Sequence, residues 1–265
     1  MAQYRIYPIM VGKNTANKAI FTHMVDMDIN LVVPVYVYYI EGGHKKILVD
    51  TGVMELGSTG LYNGISIKEA GPQAVCAGLK KFGVNPEDID IVILTHLHFD
   101  HAANLELFPQ AVFFVQESEV IYAQEPLPIQ KDDYLPGIAQ LLNKYQVVTV
   151  DGNSWVAPGV EIIHAPGHTS GFQIVAVDTS EGKYIIAGDL VYLYLNLYPD
   201  TSEIIDADGN RIQCTPIVGH DIYPPGNNSS LTDWYTSISK VLSLCGDKSH
   251  IIPGHCPTIM GKIFP

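Results

Sequence analysis

The apolar run Ile91-Val92-Ile93-Leu94 leads straight into Thr95-His96-Leu97-His98-Phe99-Asp100-His101-Ala102-Ala103. A strand that ends by presenting three histidines and an aspartate within six positions has few structural uses. Neutral imidazole is the commonest biological metal ligand near pH 7. Imidazole with carboxylate suits zinc and, less selectively, iron, manganese or cobalt. The alternative, a polar loop in which three histidines fall together by chance, is weakened by what lies downstream.

Three later stretches repeat the same grammar of an apolar strand, a glycine and a metal-capable residue. Ile162-Ile163-His164-Ala165-Pro166-Gly167-His168 presents His168, Tyr184-Ile185-Ile186-Ala187-Gly188-Asp189 presents Asp189, and Ile251-Ile252-Pro253-Gly254-His255 presents His255. Glycine gives the backbone freedom to turn a side chain toward a buried ion. One Pro-Gly-His turn carries little weight, but two of them with a Gly-Asp and the histidine loop make a specific combination.

The rest of the chain reads as alternating strands and helices. Leu31 to Ile40, rich in β-branched and aromatic residues, is the first expected strand, with Lys45 to Asp50 as its hairpin partner across Gly42-Gly43. Ile67 to Phe82 reads as largely helical, Glu117 to Gln124 as a short helix, and Leu231 to Leu244 as a helix capped near Ser230. Strands are expected at 90–94, 112–115, 147–150, 160–164, 172–178, 184–187 and 250–252. Strands with helices in both halves suggest packed sheets covered by helices. No linker or repeat divides the 265 residues, so a single domain is expected.

Composition narrows the partners. The formal charge is −13, and the only arginines are Arg5 and Arg211. Phosphate neutralisation needs clustered Lys and Arg, so nucleic acid and anionic membrane surfaces are poor partners and a small-molecule substrate is expected. No window reaches the ~18 consecutive apolar residues of a membrane span. The start, Met1-Ala2-Gln3-Tyr4-Arg5, shows no secretory pattern, and four widely spaced cysteines read as reduced thiols, so a cytoplasmic protein is expected. A homodimer is compatible with the sequence.

With these residues in view, the chain resembles the metallo-β-lactamase-fold hydrolase superfamily, whose HxHxDH motif is matched by His96, His98, Asp100 and His101. The resemblance implies a four-layer αββα sandwich of α+β class with two divalent metal ions, zinc first and Fe, Mn or Co as alternatives. It implies His96, His98 and His168 on one ion, Asp100, His101 and His255 on the other, and Asp189 bridging them. Asp50, in Ile47-Leu48-Val49-Asp50-Thr51-Gly52, would orient a ligand by hydrogen bonding. The implied reaction is hydrolysis by a hydroxide shared between the metals, with Asp100 also a candidate proton shuttle.

Within the superfamily, the chain looks most like the N-acyl-homoserine lactonases. Tyr192 stands three residues after Asp189, where those enzymes place a tyrosine that assists the substrate carbonyl. Packing in the core is the competing reading for Tyr192. Met24 and Met27 fall in a segment similar to the stretch lining the lactonase acyl pocket, with ordinary core filling as the alternative. The irregular stretch 190–230, with Tyr194 and His220, is expected to form a lid or binding loop, although a solvent-exposed His220-Asp221 pair fits the sequence as well. His23, His44, His164 and His250 lack motif partners and read as structural or surface residues. Other substrates remain open, among them thioesters of the glyoxalase II kind, esters and cyclic amides. A metal-bound sensor without activity is the non-enzymatic alternative. An aspartic-protease reading of Asp50-Thr51-Gly52 requires a second such carboxylate, which the sequence lacks.

Overall fold

Both faces of the central strands are apolar, and this forces a layered architecture. In a computed structural model, residues 3–57 and 60–265 are described; Met1 and Ala2 of the plain N-terminus lie outside them. An eight-stranded sheet is built from β1 (Arg5–Asn17), β2 (Asn30–Glu41), β3 (Ile47–Val49), β4 (Leu61–Tyr62), β5 (Ile65–Lys68), β6 (Ile91–Ile93), β7 (Val112–Gln116) and β8 (Gln146–Val150). Its spatial order is β4-β5-β1-β2-β3-β6-β7-β8. β1, β2 and β3 pair antiparallel, while β3, β6, β7 and β8 run parallel.

The second sheet contains β9 (Ser154–Ala157), β10 (Val160–His164), β11 (Gln173–Thr179) and β12 (Gly182–Gly188). A small hairpin, β13 (Glu203–Ile205) and β14 (Arg211–Gln213), precedes β15 (Ile251–Pro253), which joins the second sheet parallel to β12. The helices are α1 (Pro72–Lys80), α2 (Glu117–Tyr122), α3 (Ile138–Leu141) and α4 (Leu231–Cys245).

Four apolar cores form among the described residues, and alternation along the strands builds the three that make the layers. Tyr36, Tyr38, Ile40, Ile91 and Ile93 of the first sheet meet Ile162, Val175, Ile186 and Ile252 of the second. Val35, Val37, Leu48 and Val92, on the opposite face of the first sheet, pack with Val75 and Leu79 of α1. Ile163, Ile174, Ile185 and Ile251 pack with Trp234, Ile238 and Val241 of α4. The result is the αββα sandwich. A buried aliphatic side chain contributes about 1.5–3 kcal/mol by leaving water, so the inter-sheet core is a rigid base for whatever the strand ends present.

Two local expectations are corrected. The longest strand, β1, was not expected, because Pro8, Gly12, Lys13 and Asn14 interrupt its apolar alternation; a bulge between Met10 and Gly12 absorbs the irregularity. The helix expected from Ile67 starts only at Pro72, because Ile65–Lys68 pairs with β1 and Gly71 turns the chain at φ +93. α4 runs close to its expected span, with the Ser230 side chain accepting from the Asp233 N–H as a cap. No helix among the described residues is long and apolar enough to cross a membrane.

Candidate metal centre

Five chain segments converge at one edge of the inter-sheet core, each arriving from a strand end. Asp50 follows β3, residues 95–101 follow β6, His168 follows β10, Asp189 follows β12 and His255 follows β15. Close backbone approach is needed where the last two meet. A Cβ on Gly254 would lie 2.7 Å from the Gly188 carbonyl carbon and 2.8 Å from an Asp189 oxygen, so only glycine lets β15 and β12 deliver both side chains together.

The structure brings the seven ligand-type residues of the sequence reading into one buried cluster. His96, His98 and His168 offer ring nitrogens to a common point, with His168 Nε2 3.2 Å from His96 Nε2 and 3.0 Å from His98 Nδ1. Asp100, His101 and His255 form a second group. Asp189 stands between them. Its Oδ2 faces His168 Nε2 at 3.4 Å and His96 Nε2 at 3.9 Å. Its Oδ1 faces His101 Nε2 at 3.2 Å and His255 Nε2 at 3.0 Å.

Hydrogen bonds on the far ring nitrogens hold four histidines in one orientation. His101 Nδ1 lies 2.8 Å from Asp50 Oδ2, His168 Nδ1 2.8 Å from the Asn227 carbonyl, His255 Nδ1 2.9 Å from the Pro34 carbonyl, and His96 Nδ1 3.0 Å from Thr95 Oγ1. With Nδ1 so engaged, Nε2 faces the cluster in each case, the arrangement that metal-ligating imidazoles use. Asp50, at φ 62, also accepts from the Thr95 N–H at 2.7 Å, which ties β3 to the start of the histidine loop.

The chemistry of this donor set fits divalent cations. His101 Nε2 and His255 Nε2 are buried within 3.2 Å of the buried Asp189 Oδ1 without an aligned hydrogen bond, and such atoms are costly unless something satisfies them. Burial, and then repulsion from neighbouring imidazoles, holds His96 and His98 well below the usual histidine range; burial likewise lowers His168. These three rings are therefore neutral, with lone pairs ready. Burial also opposes the charged form of His101, but the Asp189, Asp100 and Asp50 carboxylates outweigh it and raise that ring well above the usual range. His255 is raised in the same way, chiefly by Asp189. Burial alone would raise Asp189, yet His101 and His255 bring it well below the usual carboxylate range. The carboxylates of the second group thus demand positive charge at this point, which a proton or a metal ion can supply.

A cavity opens on the cluster, lined by His98, Asp100, Asp189, Tyr192 and His255 and on its apolar side by Ala16, Ile20, Phe21, Val33, Ile65 and Phe99. Tyr192 stacks on His255, with ring centroids 5.3 Å apart. Three polar residues at the cavity were not identified from the sequence. Asn14 donates to Asp100 Oδ2 at 3.0 Å, Asn227 donates to Asp133 Oδ2 at 3.0 Å, and Asp133 itself lines the mouth. Each lies in an ordinary polar stretch that carries no motif.

The substrate-binding candidates lie elsewhere. Met24 and Met27 are 71% and 65% exposed and do not line the cavity, because a turn with left-handed Met24 and Asp26 faces them outward; Ile20 and Phe21 take that wall. The Tyr194 hydroxyl donates to the Ile251 carbonyl at 3.2 Å, and its ring lines a separate groove with Tyr198 and Ile205. His220 is exposed against Tyr223. Of the 190–230 segment, Tyr192 and Asn227 reach the cavity, whereas Leu190, Val191 and Leu197 are buried in the core.

Two packed sheets with a His/Asp cluster at their strand ends define a metallohydrolase-type scaffold. The metallo-beta-lactamase superfamily model matches residues 31–244, and the chain belongs to that superfamily. An N-acyl homoserine lactonase of a Bacillus species is 33% identical over 171 residues, covering 61% of this chain and 66% of that protein, just under two thirds of its length. An N-acyl homoserine lactonase of Bacillus cereus is 27% identical over 194 residues, covering 70% of this chain and 75% of its own. Among solved structures, an N-acyl homoserine lactone hydrolase with N-hexanoyl-L-homoserine at its catalytic metal center superposes with a TM-score of 0.75 at 23% identity, covering 98% of this chain and 96% of that one. AidC, a dizinc quorum-quenching lactonase, gives 0.69 at 17% identity, covering 97% and 89%. At these identities the structural likeness establishes the fold.

Proposed function

We propose that this protein is a dinuclear-metal hydrolase that opens the ring of N-acyl homoserine lactone-like substrates, acting as a single-domain cytoplasmic enzyme. The observation that carries the reading is Asp189, with one oxygen facing each ligand group, beside a cavity that is apolar on one side and is also lined by Tyr192. His96, His98 and His168 would hold one ion, Asp100, His101 and His255 the other, and Asp189 would bridge them. Zinc suits the three-imidazole group best. When bound, two such ions polarise a carbonyl and make a water-derived nucleophile available near neutral pH.

The chain's own residues supply the rest. Burial, then Asp189 and Asp100, push the Tyr192 phenol well above its usual range, so it stays protonated and can donate to the oxyanion that develops on the lactone carbonyl. Asp100, oriented by the Asn14 amide, takes the proton released from the attacking water at its carboxylate and returns it to the ring oxygen as the C–O bond breaks. Water is thereby added across the ester bond, leaving a carboxylic acid and an alcohol. The acyl substituent lies along Ile20, Phe21, Val33 and Ile65. The apolar wall and the lactonase relatives favour this substrate over a thioester bearing an acidic carrier, because among the described residues no arginine or lysine lines the cavity.

The test is a hydrolysis panel of N-acyl homoserine lactones, simple lactones, thioesters and cyclic amides, run on protein of measured metal content alongside Tyr192→Phe. Turnover should be greatest on acyl homoserine lactones. The variant should keep its metals and lose about 10²-fold in kcat, the effect of one oxyanion donor. Preferential thioester turnover, or an unaltered Tyr192→Phe rate, would overturn the lactone assignment.

A further inference from the structure

Glu119 lies outside the ligand cluster, on α2, and its side chain is completely buried. Its Oε1 accepts from the Leu97 N–H at 3.0 Å and from the Tyr134 hydroxyl at 2.9 Å. Its Oε2 accepts from Thr169 Oγ1 at 2.5 Å. Leu97 sits between His96 and His98, and Thr169 follows His168. Tyr134 packs edge-on against His98, with ring centroids 4.6 Å apart. One carboxylate therefore joins the two loops, from different sheets, that deliver the three-histidine group. None of its hydrogen bonds reaches Asp100, Asp189, His101 or His255.

The packing around Glu119 leaves no slack. A Cβ on Gly171 would come within 2.0 Å of the Glu119 backbone nitrogen, so the 169–171 turn lies directly on the start of α2. A buried carboxylate is retained only where several donors satisfy it. Here three donors do so, one of them the Leu97 main-chain N–H, which cannot turn away.

We infer that Glu119 is a positioning residue that sets the spacing of the His96–His98–His168 group alone, and so governs metal affinity at one half of the centre independently of the other. This rests on the metal-centre reading above. Glutamine in place of Glu119 keeps the volume but has one acceptor oxygen, so whichever way the amide turns, either the Leu97 N–H on one loop or the Thr169 hydroxyl on the other loses its acceptor. The loops then separate, and three nitrogens that must meet at one point no longer do.

The experiment is an equilibrium metal titration, with cobalt(II) read by its visible spectrum and zinc read by competition with a chelator. In a His255→Ala background, which leaves the three-histidine group, Glu119→Gln should weaken the remaining site by about 10- to 100-fold, the range for residues that orient ligands. In a His96→Ala background it should change the remaining site by less than about 3-fold, a difference under 0.7 kcal/mol. Tyr134→Phe removes one donor at no cost in charge and should show the same selectivity with a smaller loss; it carries the test if Glu119→Gln does not fold. Equal losses in both backgrounds, or none in either, would overturn the inference. A wild-type chain that binds fewer than two ions would instead overturn the metal-centre reading itself.

Discussion

The two halves of the centre are fed by the same loop but differ in chemistry. His96 and His98 join His168 in a group of neutral imidazoles, each held below the usual histidine range by burial first. Asp100 and His101, only a few residues further on, join His255 in a mixed carboxylate–imidazole group whose rings are raised by the acids around them. Apart from the shared Asp189, the first half is a nitrogen-only donor set of the kind zinc accepts; the second is harder and tolerates a wider choice of cation. Their supports differ as well. Glu119 and the Asn227 carbonyl brace the first, while Asp50, Asn14 and the Pro34 carbonyl brace the second. Neighbouring positions in sequence can thus serve distinct electrostatic environments when different strand ends close over each.

Asp189 is the one residue that belongs to both halves, and removing it is the most severe way to break the comparison. Asp189→Ala should lower the metal content of both halves and leave His101 and His255 without their main counter-charge. Losing several kcal/mol of transition-state stabilisation corresponds to a fall in kcat/KM of at least about 10³-fold. Metal analysis and turnover on the best substrate of the hydrolysis panel measure it. Two metals per chain with unchanged turnover would remove the bridging role altogether.

A narrower intervention sharpens the contrast. Asp50→Asn replaces the acceptor of His101 Nδ1 with an amide and should weaken the Asp100–His101–His255 half by about 10- to 100-fold. The three-histidine half should respond less, because Asp50 reaches His96 only through Thr95. Metal titration in the single-half backgrounds separates the two. Equal weakening would show that Asp50 holds the whole loop rather than one ligand.

How much of this was legible in the sequence depends on whether the signal was local. The cluster His96 to His101, with His168, Asp189 and His255, announced itself because each residue ends an apolar strand beside a tight turn. Asp50 is legible through the family resemblance, which implies its place beside a ligand. Glu119, Asp133, Asn14 and Asn227 were not, since each acts across the fold on residues tens of positions away and carries no motif of its own. β1 was missed because its bulge and its prolyl and glycyl residues break the alternation that would reveal it, yet it supplies both Asn14 and Ala16 to the cavity. Met24 and Met27 are expected at the pocket because their segment resembles the stretch lining the lactonase acyl pocket, and a left-handed turn sends both outward. Side-chain chemistry at strand ends is readable from sequence; which residues a loop turns inward depends on backbone conformations that residue types only bias.

Asp133 offers the mildest probe of the boundary between the halves. Its carboxyl is bonded to Asn227, whose carbonyl braces His168, but it also lies near Asp100 and Asp189. Burial, with those carboxylates adding to it, pushes it from the ordinary carboxylate range up to about 6. A raised carboxyl holds a proton in the folded chain that the unfolded chain releases. The metal-free fold therefore loses stability as pH rises from about 4 through 6, and bears the full penalty above that window. Asp133→Asn removes the charge and keeps an oxygen for the Asn227 amide. In metal-stripped protein it should raise unfolding stability by on the order of 1–2 kcal/mol at pH 7.5, a figure below the full shift because the group is partly solvated. At pH 4, where Asp133 of the wild type is already protonated, the gain should vanish. Urea unfolding at the two pH values is the measurement. A gain of the same size at both would mean that the substitution acts through packing, and that the carboxylates of the second half do not reach across to the wall supporting the first.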